Sequence, residues 1–176
     1  MNQMIIRQER PSDYDEVYAL VKASFATVYT GGTQPDEQDY LNELRKKDAF
    51  IPELSLVAED GGMVIGQIVL SKTAVTTPHG ERTELLLSPI CVHPDYFRRG
   101  IARALTEQAL RIAGQMGFGA VFLCGEPEIY TRLGFVPSHR YDIFHKDDDS
   151  KSAPWSMVRE LYHGALSGIS GTVDTV

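Results

Sequence analysis

The segment Phe97-Arg98-Arg99-Gly100-Ile101-Ala102, with Arg103 behind it, has the residue types of an anion cradle. Its pattern predicts a loop that runs into the first turn of a helix. The first N–H groups of a helix have no partner inside it and point outward. The helix dipole puts roughly half a positive charge at that end. Gly100 lets the backbone approach a ligand, Ala102 keeps the first turn small, and Arg98, Arg99 and Arg103 add formal charge. Phosphate or pyrophosphate suits such a site, although an ordinary basic loop ahead of a helix reads the same way. No Gly-Lys-Ser or Gly-Lys-Thr follows, so this is not a P-loop, and the G-x-G-x-x-G of dinucleotide sites is absent too. Tyr130, in Tyr130-Thr131-Arg132-Leu133-Gly134-Phe135, is the second chemical piece. A tyrosine on a short helix is ordinarily a packing residue. Beside a bound pyrophosphate, a phenol of ordinary pKa near 10 can instead hand a proton to a leaving group.

The elements that must position these residues follow from periodicity. Residues 4–7 read as a short strand. Pro11-Ser12-Asp13 opens a helix, with Ser12 and Asp15 at capping-box spacing. Val17, Leu20, Val21, Phe25 and Val28 form its buried stripe, and Gly31-Gly32 ends it. Residues 35–47 read as a second helix, anchored by Tyr40, Leu41 and Leu44. The period then changes. Residues 54–59, 63–76 and 82–92 read as an antiparallel meander with turns at Asp60-Gly61-Gly62 and Thr77-Pro78-His79-Gly80. Pro89 cannot donate to a ladder, so 88–92 is expected to lose regular pairing with one neighbour. That is an edge effect, or it leaves backbone groups for a ligand.

A helix over 101–116 carries the stripe Ile101, Leu105, Ala109, Ile112, Ala113 and Met116, with Gly117 at its C′ position. Residues 119–124 read as a strand buried on both faces. Together these form a βαβ unit, which implies a parallel pair and a right-handed crossover. Residues 126–133 form a short helix, with Pro127 in its first turn and Gly134 at its end. Late strands are expected at 140–145 and 155–161, and a short one at 172–176. Asp147-Asp148-Asp149 reads as a solvated loop, because EF-hand ligand spacing is absent. No His/Cys/Asp/Glu cluster has metal-ligand spacing, so no metal is expected.

Composition bounds the function. The 176 residues are 43% apolar and 23% charged, which excludes a disordered chain and a disulfide scaffold. One domain over 1–176 is expected, with a core over 4–161 and a Gly- and Ser-rich tail over 164–176. The 17 basic against 24 acidic residues give a formal charge of −7, which argues against nucleic acid and anionic membranes as partners. Cys91 and Cys124 read as small buried thiols in a reducing compartment. The N-terminus lacks the apolar run of a signal peptide, and no stretch approaches the roughly 18 apolar residues of a membrane span. A cytoplasmic protein is the expectation.

With its element order, the sequence resembles the GCN5-related N-acetyltransferases, the GNAT superfamily, from Ile5 to about Leu161. The family's acetyl-CoA motif, Gln/Arg-x-x-Gly-x-Gly/Ala, falls on Phe97 to Ala102 after Ile90-Cys91-Val92-His93-Pro94. Its late tyrosine with Gly-Phe falls on Tyr130 to Phe135. Ser88-Pro89-Ile90, Gly125-Glu126-Pro127, Glu160-Leu161 and Gly164-Ala165-Leu166 resemble the YhbS-type acetyltransferases more narrowly. Phe97 departs from the usual Gln or Arg.

The resemblance implies an α/β (mixed α+β) acyl-CoA N-acyltransferase fold, with a central, mostly antiparallel, splayed sheet flanked by helices. It implies that the pantetheine arm of acetyl-CoA pairs with Ile90, Cys91 and Val92. The pyrophosphate would sit on the N–H groups of Arg98, Arg99, Gly100, Ile101, Ala102 and Arg103. A primary amine, on a small molecule or a protein, would attack the thioester directly in a ternary complex. A backbone N–H near Cys91 or Val92 would hold the oxyanion, and Tyr130 would protonate the departing thiolate. Glu84, early on the strand that leads to the splay, is the candidate general base. His79 and His93 are weaker candidates, and Cys124 falls near the expected acetyl pocket. A non-catalytic acyl-CoA-binding module on the same fold is the alternative function. An enzyme for longer acyl chains would show a wider pocket past Cys124. The acceptor would be set by the first two helices and their loop, where Tyr29 is an aromatic candidate, and by the late strands. A monomer or homodimer is expected.

Overall fold

Residues 3–28 and 36–175 are described in the structure, a computed structural model. In chain order the elements are β1 (Ile5–Gln8), α1 (Tyr14–Ala26), α2 (Glu37–Leu44), β2 (Phe50–Asp60), β3 (Met63–Thr77), β4 (Gly80–Val92), α3 (Ile101–Gln115), β5 (Ala120–Cys124), α4 (Pro127–Tyr130), β6 (Val136–Pro137), β7 (Ile143–His145), β8 (Ser156–Glu160) and β9 (Gly171–Val173). The sheet is mixed, open and mostly antiparallel, with strand order β1-β2-β3-β4-β5-β8-β6, and β9 pairs with β3 and β7. The β4–β5 and β7–β9 pairs are parallel. The chain forms two compact units: Met1–Leu70 with Ser88–Ala109, and Ser71–Leu87 with Leu110–Val176. The Gly31-Gly32 helix end, Pro35, Tyr29 and Val176 lie outside the described residues.

In the first unit, α1 buries Val17, Leu20 and Val21 against Leu41 and Leu44 of α2, Val57 of β2, Val69 of β3 and Cys91 of β4. Phe25 packs partly on this cluster. Val28 does not belong to the stripe. It is 70% exposed, because the helix stops at Ala26 and its period stops there too. The expected Ser12 cap does not form, and the N-cap position of α1 falls on Asp13, whose side chain makes no cap bond. Asp13 accepts from Arg10 N at 2.7 Å and from the Arg7 guanidinium at 2.7 and 2.9 Å. Arg7 in turn reaches Glu59 of β2 at 2.8 Å, which ties the start of α1 to the sheet. The Arg7 guanidinium holds the Asp13 carboxyl below the usual carboxylate range. A second buried pair fastens α2: Arg45 meets Glu9 through Nη2 at 2.5 Å, and the Ser55 hydroxyl donates to the same carboxylate at 2.8 Å.

In the second unit, α3 ends as its sequence predicts. Gly117 has φ +90°, and Phe118 N bonds Ala113 O at 3.2 Å. Beyond it, Ala120, Phe122, Ile143, Val158 and Leu166 share a core with Val75 and Val173. The late elements differ from expectation. Residues 138–141 form a 3₁₀ turn, Asp142 takes φ +56°, and only Ile143–His145 is strand. Asp148 organises the acidic loop by accepting from Ser150 N at 3.0 Å and Ala153 N at 2.8 Å.

Arg45 and Glu9 test the first unit. Removing one partner of a buried ion pair leaves an uncompensated charge, which costs about 3–5 kcal/mol. Arg45→Met is therefore expected to lower the unfolding free energy by about that amount in urea titration, while Lys46→Met, on the exposed Lys46–Glu43 pair, changes it by less than about 1 kcal/mol.

Candidate active site

The pyrophosphate-type cradle is built from a turn that its sequence makes unusual. Phe97 N closes the short 3₁₀ turn Pro94–Tyr96 by donating to Pro94 O at 3.3 Å. Arg98 then takes φ +63° and Gly100 φ +78°. A left-handed residue that is not glycine costs about 1–3 kcal/mol. Left-handed residues in such a turn aim successive N–H groups into one concavity, which receives anions. Ala104 N is the first to reach back along α3, to Gly100 O at 3.0 Å, so the N–H groups of Ile101, Ala102 and Arg103 precede the helix ladder. Arg98, Arg99 and Gly100 are exposed. Arg99 rests its guanidinium 4.8 Å over the Tyr96 ring and donates to Asp95 O at 3.0 Å. Phe97 is 45% exposed beside them.

Gly66 holds this helix end in place. A Cβ there would lie 3.0 Å from Ile101 Cγ2, 3.0 Å from Leu105 Cδ1 and 3.4 Å from Cys91 O. The first turn of α3 thus packs on the backbone of β3, next to the end of β4. His93 N adds a bond to Ile65 O at 2.8 Å. The structure therefore brings Cys91 and Ile101 together at Gly66 in the first unit. Sequence reasoning passed over Gly66, although a glycine inside a strand is itself a sign of close backbone approach.

At the end of β4 the pairing changes as Pro89 suggested. The parallel ladder to β5 sets Leu85 opposite Val121 and Leu86 opposite Phe122, and 88–92 take no place in it. Cys91 is buried, and burial pushes its thiol up to about 12. A neutral thiol is a poor nucleophile. His93 is a cap whose Nδ1 accepts from Asp95 N at 3.2 Å, and His79 sits exposed in the β3–β4 turn.

Tyr130 and Glu84 belong to the second unit. Tyr130 ends α4, and its ring lies over Gly125, where a Cβ would collide with Cε2. It meets Phe135 edge-on, with centroids 6.1 Å apart. Burial raises the Tyr130 pKa above its ordinary value, so the phenol keeps its proton at neutral pH. Gly125 is a second residue the sequence reading did not single out, and its absent side chain is what seats the ring.

Glu84 stands in a different place from the one expected of a base. It is 1% exposed. One oxygen accepts from Gly119 N and Ala120 N, both at 2.9 Å, and the other from Arg82 Nε at 2.5 Å. A carboxylate sealed from solvent and met by three donors has no face for a substrate amine. It pins the start of β5 to β4, and Gly119 makes room for it: a Cβ there would lie 3.0 Å from Glu84 Oε1. Cys124 also differs from expectation. The four residues before it in β5 are buried, but its own side chain is exposed. Among the described residues no His/Cys/Asp/Glu group could hold a metal ion, and no helix is long and apolar enough to cross a membrane.

The chain is similar to known proteins in sequence and in structure. Residues 5–137 match the family model described as an acetyltransferase (GNAT) domain. The chain is 32% identical over 173 residues to the uncharacterized N-acetyltransferase YhbS of Escherichia coli K12, covering 97% of this chain and 95% of that protein. The crystal structure of E. coli YhbS in complex with CoA has a TM-score of 0.84 and 27% identity, and the match covers 100% of this chain and 91% of the other. A GNAT family acetyltransferase from Brucella melitensis in complex with acetyl-CoA has a TM-score of 0.76 and 25% identity, with 98% and 96% covered.

Because Glu84 is a buried acceptor of three hydrogen bonds, Glu84→Gln turns an amide N–H₂ against donors. Stability is expected to fall by at least about 1–3 kcal/mol, read from thermal and urea unfolding. A stability equal to that of the unaltered protein would remove the pin.

Proposed function

The chain belongs to the GNAT acetyltransferase family, and from that premise we propose that it moves an acetyl group from acetyl-CoA to a primary amine by direct attack. The turn at Arg98 and Gly100, which opens into the unladdered N–H groups of α3, carries this reading. A diphosphate needs several converging donors and a positive field, and this loop supplies both. The pantetheine amides would use the backbone of Ile90, Cys91 and Val92, which take no place in the β4–β5 ladder. A backbone N–H near Cys91 or Val92 would hold the oxyanion, a contact worth about 2.7–4 kcal/mol in other enzymes.

Tyr130 is the acid in this reading. Its phenol is protonated at neutral pH and so has a proton to give the departing thiolate. No acyl-enzyme is required, which fits the neutral, buried Cys91. Glu84 takes no proton in this scheme: the acceptor ammonium gives one proton to solvent before attack, Tyr130 gives its proton to the thiolate, and the proton shed by the nitrogen as the amide forms restores the phenol. The acceptor is a cationic amine before it loses its proton, and the net charge of −7 favours its approach. A protein that binds acyl-CoA and transfers nothing would share the cradle, and only the acid distinguishes the two readings.

Tyr130→Phe is expected to lower transfer about 10²–10⁴-fold, scored as CoA thiol release with a panel of primary amines. Its acetyl-CoA affinity stays unchanged. Equal turnover in the variant would remove Tyr130 as the acid. Release by no amine, with acetyl-CoA still bound, would favour the binding module.

Gly100→Glu tests the cradle separately. A Cβ at Gly100 meets open space, so the fold tolerates it apart from about 1–2 kcal/mol of left-handed strain. The carboxylate then faces the diphosphate. Binding of CoA is expected to vanish in calorimetry while thermal unfolding stays cooperative, and normal CoA affinity would contradict the site.

A further inference from the structure

The end of β5 carries a glycine that backbone conformation does not explain. Gly125 follows Cys124 directly, and its φ lies outside the left-handed region in which Gly100, Gly117 and Gly134 stand. An alanine could adopt the same backbone, so what Gly125 supplies is room. A Cβ on it would collide with Cε2 of Tyr130 and lie 2.8 Å from Cδ2 and 3.3 Å from Cζ. Ordinary contact begins near 3.4 Å. The Tyr130 ring therefore lies flush on the bare Cα, with no space between them for one carbon.

The backbones on both sides of this contact are held. Cys124 pairs with Ser156 in the β5–β8 ladder, and Gly125 N then donates to Trp155 O at 2.9 Å. Tyr130 N donates to Glu126 O at 3.2 Å, and Tyr130 O accepts from Phe135 N at 3.1 Å. Phe135 is fully buried and meets the Tyr130 ring edge-on. The side chain of Tyr130, rather than either stretch of backbone, is the part that would yield to a Cβ.

We propose that Gly125 is a positioning residue for the reaction: its bare Cα, tied to β8 through Trp155 O, fixes where the Tyr130 phenol stands. This rests on the reading of Tyr130 as the acid. A proton donor must stand within about 2.6–3.2 Å of the atom it serves. Displacing such a group by about 1 Å can cost roughly 10²-fold in rate, and a Cβ at Gly125 asks the ring for a shift of that order. Gly125 gives no proton and makes no bond to a ligand; it acts only through the ring.

The test compares the unaltered protein with Gly125→Ala, Tyr130→Phe and the double variant. With ¹³C-labelled tyrosine rings, the resonance of Tyr130 is the one lost in Tyr130→Phe. In the unaltered protein it is expected to show Overhauser contacts to the Gly125 α-protons, and in Gly125→Ala it is expected to shift. Acetyl-CoA affinity stays unchanged in that variant, while kcat for thiol release with the primary-amine panel falls about 10²-fold. In the Tyr130→Phe background the same change costs nothing further, because the acid that it places is already gone. A role in folding alone would lower the rate by the same factor in both backgrounds. That equal loss, an unmoved Tyr130 resonance or an unchanged kcat overturns the positioning role and leaves the acid reading standing. If Gly125→Ala does not fold, the Overhauser contacts decide the seat, and Phe135→Leu, which loosens the same ring without a clash, takes its place in the cycle with the same expectations. An unaltered protein that binds acetyl-CoA and releases no thiol with any amine overturns the acid reading, and the positioning role with it.

Discussion

The seat of α3 on β3 depends on a side chain that is absent. At Gly66 the backbone of β3 comes so close to α3 that even a Cβ would sit 3.0 Å from both Ile101 and Leu105. That contact seats the first turns of α3 on the strand, and the loop of Arg98 and Gly100 leads into the seated end. Between the end of β4 and that helix the chain turns through the left-handed Arg98 and Gly100. The site therefore owes more to backbone placement than to its arginines. Phe97 can stand where the family carries Gln or Arg, because the N–H groups are supplied by any residue but proline.

Charge acquires a local meaning in this arrangement. A chain of net charge −7 looks unsuited to a phosphate-bearing ligand. Yet Arg98, Arg99 and Arg103 follow one another closely at a helix N-terminus, and the field near that point is positive whatever the distant surface carries. The second unit makes the complementary use of carboxylates. Glu84 is buried as a pin for backbone N–H groups and Asp148 caps a loop.

Much of this was legible in the sequence where the signal was local. The α3 stripe at Ile101, Leu105, Ala109 and Ala113, Gly117 as its stop, the tight turn at Gly61-Gly62 and the loop ahead of α3 were all readable from neighbours in the chain, and the structure keeps them, whereas Met116, expected in the same stripe, lies past the helix end at Gln115 and is 45% exposed. What was not legible depends on partners distant in sequence. Glu84 reads as a candidate base on its strand until parallel pairing brings Gly119 and Ala120 onto it. Ser12 has the letters of a cap, but no side chain caps α1: Asp13 holds the N-cap position and its carboxylate goes to Arg7 and Arg10 N. Cys124 ends an apolar run and reads as buried, yet the strand ends with it and its side chain is exposed. Tyr130 was visible as a residue, whereas its seat on Gly125 was not.

The central claim is that backbone N–H groups at the start of α3 hold the diphosphate of acetyl-CoA. The most direct measurement is an amide ¹H–¹⁵N NMR titration of the whole protein with CoA. The expected result is saturable binding, with the largest shifts at the amides of Arg99, Gly100, Ile101, Ala102 and Arg103 and further shifts at Cys91 and Val92. Saturable binding that leaves those amides unmoved would contradict it.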